Sequence, residues 1–249
     1  MASITETGHA KIVANFEEFI SAVITFRSAY NPSKTDLKLE ALQSKAKDSR
    51  AAMADVNKAL STYKTAVAAR RTAFASLSRY VTRILNALKA SESTIAIDKS
   101  ALSLVRKIQG NRISAKLTEE LKRAMVAEGK EVTEISSSQM SIDSRLDNFD
   151  KLIRLLNAIP EYKPNEDDLK VSGIMGVYND LRTKNTAVIT AEARLKSARI
   201  YRDNMLYKPF TGIVDTVADA KAYIKSVFGT SSPQFKQVSR LRFISRITL

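Results

Sequence analysis

The chain has 249 residues, of which 44% are hydrophobic and 27% charged, with only seven glycines and five prolines. So few turn-forming residues argue against a many-stranded β protein, and the abundance of Ala, Leu, Lys and Arg favours helices. The absence of cysteine excludes disulfide bonds, thiolate catalysis and cysteine-bound metals. The composition therefore predicts an all-α protein.

The formal net charge is +14 and belongs to both halves of the chain. Residues 1–113 carry +9, residues 114–143 carry −2 and residues 144–249 carry +7. An excess of this size favours partners such as nucleic acid or another polyanion. We find no secretory signal and no apolar run long enough for an integral membrane segment. The cytoplasm is the expected compartment, with export by a non-classical route left open.

Four segments of the first half recur in the second at an offset of 132 or 133 residues. The pairs are residues 15–20 with 148–153, 30–38 with 162–170, 77–81 with 210–214 and 105–108 with 238–241. One pair shares the pattern Tyr-x-Pro-x-x-x-Asp-Leu-Lys, which contains a turn and is not explained by apolar spacing alone. We therefore predict two pseudo-repeated helical units, residues 1–110 and 144–249, joined by a charged connector of residues 111–143.

Each predicted unit contains a long segment whose apolar residues are spaced three and four apart. This spacing holds from Leu39 to Leu88, and in the second unit from Ile174 to Met205. After Pro209 it is resumed by Phe210, Ile213, Val217, Ala220 and Ile224. It predicts an elongated bundle of long helices packed in coiled-coil fashion. A proline interrupts a helix, so we expect a break at Pro209 and a gentler one near Ser76. Before and after the long segments, we predict helices over residues 8–29, 98–109 and 232–243.

Two arginines, Arg70 and Arg202, occupy matching positions on these apolar seams. The favoured interpretation is that each buries its stem and extends its charged head into solvent. The second interpretation is a buried polar pair that fixes the register of the helices or binds an anion.

No motif in the sequence predicts catalysis, a cofactor or a metal. His9 is the only histidine, and no catalytic pattern surrounds it. The acidic run 166–168 is interpreted as charge that complements the start of a helix. The segment 173–176 lacks the Gly-Lys-Ser/Thr ending of a phosphate-binding loop. We therefore expect a protein that is not an enzyme.

The last ten residues combine three arginines, five large apolar residues and no acid. We predict an arm that docks either on its own chain or on a neighbouring subunit. The alternatives are a basic segment drawn to nucleic acid or anionic lipid, and a frayed helix end. The residues predicted to make assembly or polyanion contacts are Arg240, Arg242, Phe243, Arg246, Ile247 and Leu249.

Three functions follow from these patterns. The first is a structural protein that self-associates, as a homo-oligomer or polymer, through its helix faces and C-terminal arm. The second is a basic helical protein that binds nucleic acid or another polyanion, although few aromatic residues are interleaved with the basic ones and no helix-turn-helix or zinc motif is visible. The third is a membrane-active helical protein, which ranks lower because the sequence lacks a long apolar hairpin.

Overall fold

The structure, a computed structural model, describes residues 8–111, 123–124, 126–128 and 141–244. Across these residues all the regular structure is helical and no strand occurs, which confirms the predicted all-α class. The α-helices in chain order are α1 (His9–Thr25), α2 (Leu39–Ala75), α3 (Leu77–Lys89), α4 (Ile95–Gln109), α5 (Ile142–Asn157), α6 (Val171–Tyr207), α7 (Ile213–Phe228) and α8 (Pro233–Ser239). Short 3-10 helices cover Arg27–Ala29 and Thr35–Leu37.

The chain divides into two compact units. The terminal unit comprises residues 1–64 and 191–249, and the central unit comprises residues 65–190. Both boundaries fall inside long helices, α2 and α6, so each of these helices supplies its two parts to different units. These compact units are defined by contacts within each unit, whereas the repeat units are defined by sequence similarity. The repeat bounds 1–110, 111–143 and 144–249 therefore remain a prediction.

The core of the terminal unit is built on one face of α1. Ile12, Phe16, Phe19 and Val23 recur at helical spacing, and none of them is more than 2% exposed. They pack in one cluster with buried residues of α7, of α8 and of the segment after α8: Ile213, Val217, Ala220, Ile224, Val238 and Leu241. Truncating either phenylalanine to Ala would cost about 3–5 kcal/mol, so this cluster is the main source of stability in the unit.

The core of the central unit lies among α3, α4, α5 and the first part of α6. Its fully enclosed side chains include those of Leu77, Ile84, Leu88, Ile108, Phe149, Leu152, Ile153, Leu156 and Ile174. Every residue of this cluster falls between positions 74 and 181. The central unit therefore contains a complete core within one contiguous stretch of chain.

Several helix ends follow from local chemistry. α6 ends at Tyr207, two residues before Pro209, and α2 gives way to α3 at Ser76, which confirms both predicted breaks. α1 ends at Thr25, earlier than expected, because Arg27 adopts a left-handed conformation with φ 50°. The closing helix α8 is shorter than the expected residues 232–243.

One tyrosine-centred turn occurs twice. The Tyr30 hydroxyl donates a 2.8 Å hydrogen bond to the carbonyl of Leu37, and the Tyr162 hydroxyl donates one of 2.8 Å to the carbonyl of Leu169. All four residues are buried. Burial disfavours the tyrosinate and raises the pKa of each phenol to about 12. Each turn precedes a helix of 37 residues, α2 or α6.

Candidate functional sites in the two units

The C-terminal segment, as far as it is described, lies on the terminal unit of its own chain. Leu241 is buried in the core, and its carbonyl accepts a 2.6 Å hydrogen bond from Lys221 Nζ. The carbonyl of Arg242 accepts a 2.9 Å bond from Nδ2 of the buried Asn15. Lys221 Nζ also lies 5.3 Å from the Phe243 ring centroid, a cation–π distance. Burial lowers the pKa of Lys221.

The arm residues predicted from sequence fall into two groups. The Arg242 side chain is exposed, Phe243 is half-buried against the core, and Arg240 lies 3.5 Å from Glu18 across the surface. Residues 240–243 are thus held in place by α1 and α7. Arg246, Ile247 and Leu249 lie outside the described residues.

The two seam arginines have different surroundings. In the central unit, Arg70 Nη1 donates a 2.9 Å hydrogen bond to Asn185 Oδ1. Asn185 Nδ2 in turn donates a 2.8 Å bond to Asp143 Oδ1, and Asn185 is only 6% exposed. Arg70 therefore begins a polar chain that links α2, α6 and α5 inside one unit.

Arg202, in the terminal unit, has only a local partner among the residues that the structure describes. Its guanidinium reaches Asp203, the next residue, at 2.8 Å, and its side chain is 13% exposed. The position 132 residues before Asn185 is Met53, which packs against the terminal core and offers no carboxamide. The matching sequence positions of Arg70 and Arg202 thus lead to different partners.

An exposed aromatic residue marks the loop between α6 and α7, residues 208–212. Phe210 is 82% exposed and has a φ of 66°, in the left-handed region. For a bulky side chain that conformation stores about 1–3 kcal/mol of strain. Its N–H donates a 2.8 Å hydrogen bond to Asp215 Oδ2 near the start of α7. We name this feature the Phe210 loop.

The Phe210 loop is closely fixed to the terminal unit. The N–H of Gly212 donates a 2.7 Å bond to the Lys208 carbonyl. A side chain at Gly212 would place its Cβ 2.7 Å from the Lys208 nitrogen, so the turn requires glycine there. Lys45 Nζ donates 2.8 Å hydrogen bonds to the Thr211 carbonyl and to the Thr216 hydroxyl. Burial lowers the pKa of Lys45.

An open cleft of about 270 Å³ lies in the central unit, between the α2–α3 junction and α6. Its apolar residues are Ala73, Leu77, Val177 and Leu181, and its polar residues are Ser76, Arg79, Tyr80 and Arg83. We name this feature the central cleft.

The polar side of the central cleft is partly neutralised. Arg83 forms a 2.7 Å ion pair with Asp168, and the Tyr80 hydroxyl donates to the Asp168 carbonyl. Burial, with the nearby Asp168 charge, raises the pKa of Tyr80 to about 12. Arg79 is exposed and has no ion-pair or hydrogen-bond partner among the described residues. It is therefore available to an external carboxylate.

Sequence reasoning missed both the Phe210 loop and the central cleft. The sequence pattern places Pro209 at a helix break and Phe210 on the apolar stripe that resumes after it; the second prediction is wrong, because Phe210 lies in the loop and is 82% exposed. An aromatic residue inside such a turn was the available signal, because turn positions lie on the surface.

The described residues contain no cluster of three or more His, Asp or Glu side chains that could hold a metal. His9 Nδ1 lies 2.8 Å from the Tyr207 hydroxyl. None of the helices in this part of the chain is both long and apolar enough to cross a bilayer.

No protein-family model matches the chain, and no curated protein or solved structure matches it significantly. Function must therefore be inferred from the chain's own surfaces.

Proposed function

We propose that this chain is a non-enzymatic structural protein that self-associates through exposed helix faces and its C-terminal arm. The observation that carries the proposal is the apolar surface of the terminal unit. Phe210 is 82% exposed, Ile200 62% and Tyr201 54%. A partner that covered such side chains would be bound favourably, because burying each large apolar side chain gains about 1.5–3 kcal/mol.

The solvent side of α6 supports association through a helix face. Ala193, Ser197, Ile200 and Asn204 follow one another at spacings of four, three and four, and all are exposed. Residues at this spacing share one side of a helix, here opposite the buried Leu195. None of the four is charged, so a second helix could pack there without desolvating an ion.

The C-terminal arm supplies the second proposed contact. Its residues 240–243 are anchored on the terminal unit, with the Arg242 side chain directed to solvent. Arg246, Ile247 and Leu249 enter the proposal on their sequence pattern alone.

We also propose that the chain is an internal duplication whose long helices pack in coiled-coil fashion. Support comes from the equal lengths of α2 and α6, 37 residues each, and from the repeated tyrosine turn. Asn15 and Asn148, 133 residues apart, are both buried. On this proposal each compact unit takes its first segment from one copy and its last from the other.

Light scattering of the purified protein over a hundredfold range of concentration tests the proposed self-association. We expect the average mass to rise with concentration, and Ile200→Glu to raise the dissociation constant at least tenfold, which is ~1.4 kcal/mol. Ile95→Glu is the matched control, since Ile95 is 76% exposed but belongs to the central unit. A mass that stays at the monomer value would contradict the proposal.

Light scattering also distinguishes the alternative function, which is binding to a polyanion. A protein that is monomeric without polyanion, and that binds heparin or duplex DNA with an affinity that falls steeply with salt, would be a polyanion-binding protein instead.

A further inference from the structure

We propose that Phe210 of one copy inserts into the central cleft of a second copy. This inference rests on the proposed self-association and names the two surfaces that meet. The Phe210 loop belongs to the terminal unit and the cleft to the central unit, so every chain offers one of each.

The cleft has the size and chemistry of an aromatic side-chain receptor. Its volume of about 270 Å³ lies below the roughly 300–1,000 Å³ of small-molecule sites. Leu77 and Leu181 form an apolar floor, and Val177 remains 36% exposed beside them. A phenyl ring placed there would cover the exposed part of Val177.

The Phe210 loop is prepared for insertion. The hydrogen bonds from Phe210 to Asp215 and from Lys45 to Thr211 hold the main chain. A side chain presented on a fixed loop loses little conformational freedom on binding. Phe210 also keeps a left-handed φ that glycine would adopt without strain. A bulky residue in this strained conformation is therefore explained if its phenyl ring binds a partner.

Charge favours the same pairing. The Asp215 carboxylate accepts a hydrogen bond from the Phe210 N–H, so it would approach the cleft together with the ring. Arg79 stands at the cleft without a partner among the described residues, and can meet both the carboxylate and the ring face. Lys208, on the same loop, partly offsets this attraction, so we expect association to depend weakly on salt.

The contact has a geometric consequence. Because the two surfaces differ, the interface is heterologous, and copies join head to tail. Such a series grows into open assemblies unless the rotation between neighbours closes a ring.

Mixing two impaired variants tests the proposal. Phe210→Gly removes the inserted ring and retains the cleft, whereas Val177→Glu places a charge in the cleft and retains Phe210. We expect each variant alone to have a dissociation constant raised at least thirtyfold, in the range of an interface hot spot. An equimolar mixture should associate more tightly than either variant alone, with the one-to-one dimer as its first product, because Phe210 of one variant and the cleft of the other still form one intact interface. Sedimentation velocity gives the masses.

A second measurement leaves the fold untouched. With 4-benzoylphenylalanine at position 210, irradiation should link an unlabelled chain to residues 73–83 or 177–181 of an isotope-labelled one. The same amino acid at position 95 is the control for random contact. Cross-links that map elsewhere would overturn the proposal.

The outcomes separate the two levels of inference. If the wild-type protein is monomeric throughout, self-association and this contact both fail. If the wild type assembles but folded Phe210→Gly assembles equally well, or the mixture forms no dimer, only the contact is overturned. Circular dichroism at 222 nm establishes that each variant is folded.

Discussion

The Tyr162 hydroxyl donates a 2.8 Å hydrogen bond to the main-chain carbonyl of Leu169 inside the central unit. Tyr30 and Leu37 repeat this bond in the terminal unit. Without the hydroxyl, the buried carbonyl loses its partner and cannot reach water. Tyr162→Phe and Tyr30→Phe should therefore each lower the free energy of unfolding by about 1–3 kcal/mol. Urea denaturation followed by circular dichroism measures this, since the chain has no tryptophan.

Tyr63→Phe is the matched control for this pair. Tyr63 is only half-buried, and its hydroxyl has no hydrogen-bond partner among the described residues. We expect its replacement to change stability by less than about 0.5 kcal/mol. Equal changes in the free energy of unfolding at positions 63 and 162 would show that the buried hydrogen bond does not stabilise the fold.

The same phenols predict how stability changes in alkaline solution. Burial raises the pKa of Tyr30, Tyr80 and Tyr162 to about 12, whereas a phenol in the unfolded chain titrates near 10. Between these values the unfolded state releases protons that the folded state retains. Their contribution to stability is thus complete below about pH 10 and is lost as the pH rises towards 12.

Denaturation midpoints measured from pH 9 to 12 test this behaviour. Lysines also titrate in this range, so the comparison must be with Tyr162→Phe, which removes one of the three phenols. The variant should lose stability less steeply than the wild type. Parallel curves would contradict the assigned cause.

Replacing Arg70 and replacing Arg202 should lower the stability of the protein by different amounts. Arg70→Met removes the donor to Asn185, whose carboxamide is buried, and should destabilise the central unit by about 1–3 kcal/mol. Arg202→Met should cost less, because its partner Asp203 is 47% exposed and becomes hydrated. Thermal melts of the two variants measure the difference. A larger loss at Arg202 would contradict this assignment.

The bounds of the compact units predict which fragments fold. Residues 65–190 contain the whole central core, from Phe74 to Leu181. Residues 1–110 divide their apolar side chains between two cores and lack α5 and α7. We expect fragment 65–190 to melt cooperatively and fragment 1–110 to remain largely unfolded. The opposite result would favour the repeat copies as folding units.

Periodicity and proline chemistry were sufficient to predict much of the fold. The three- and four-residue spacing indicated the long helices α2 and α6, and Pro209 indicated where α6 ends. These signals are local, because each depends on neighbours along one helix. The division of α2 between two units depends on packing between distant segments, which a single sequence does not reveal.

The candidate site was harder to predict, as Phe210 illustrates. Sequence similarity matched it to Leu77, which is 1% exposed, whereas Phe210 is 82% exposed. The physical reason is the loop of residues 208–212, which holds Phe210 between two helices in a left-handed conformation. With an offset of 132, buried Val81, Leu85 and Leu88 align with buried Ile213, Val217 and Ala220. Composition cannot show whether an aromatic residue faces a core or solvent.

Sedimentation velocity of the full-length protein tests the central proposal, self-association, most directly. Measured from low micromolar to high micromolar concentration at two salt concentrations, the weight-average sedimentation coefficient should rise with concentration and change little with salt. A single species with a mass near 27.6 kDa at every concentration would contradict it.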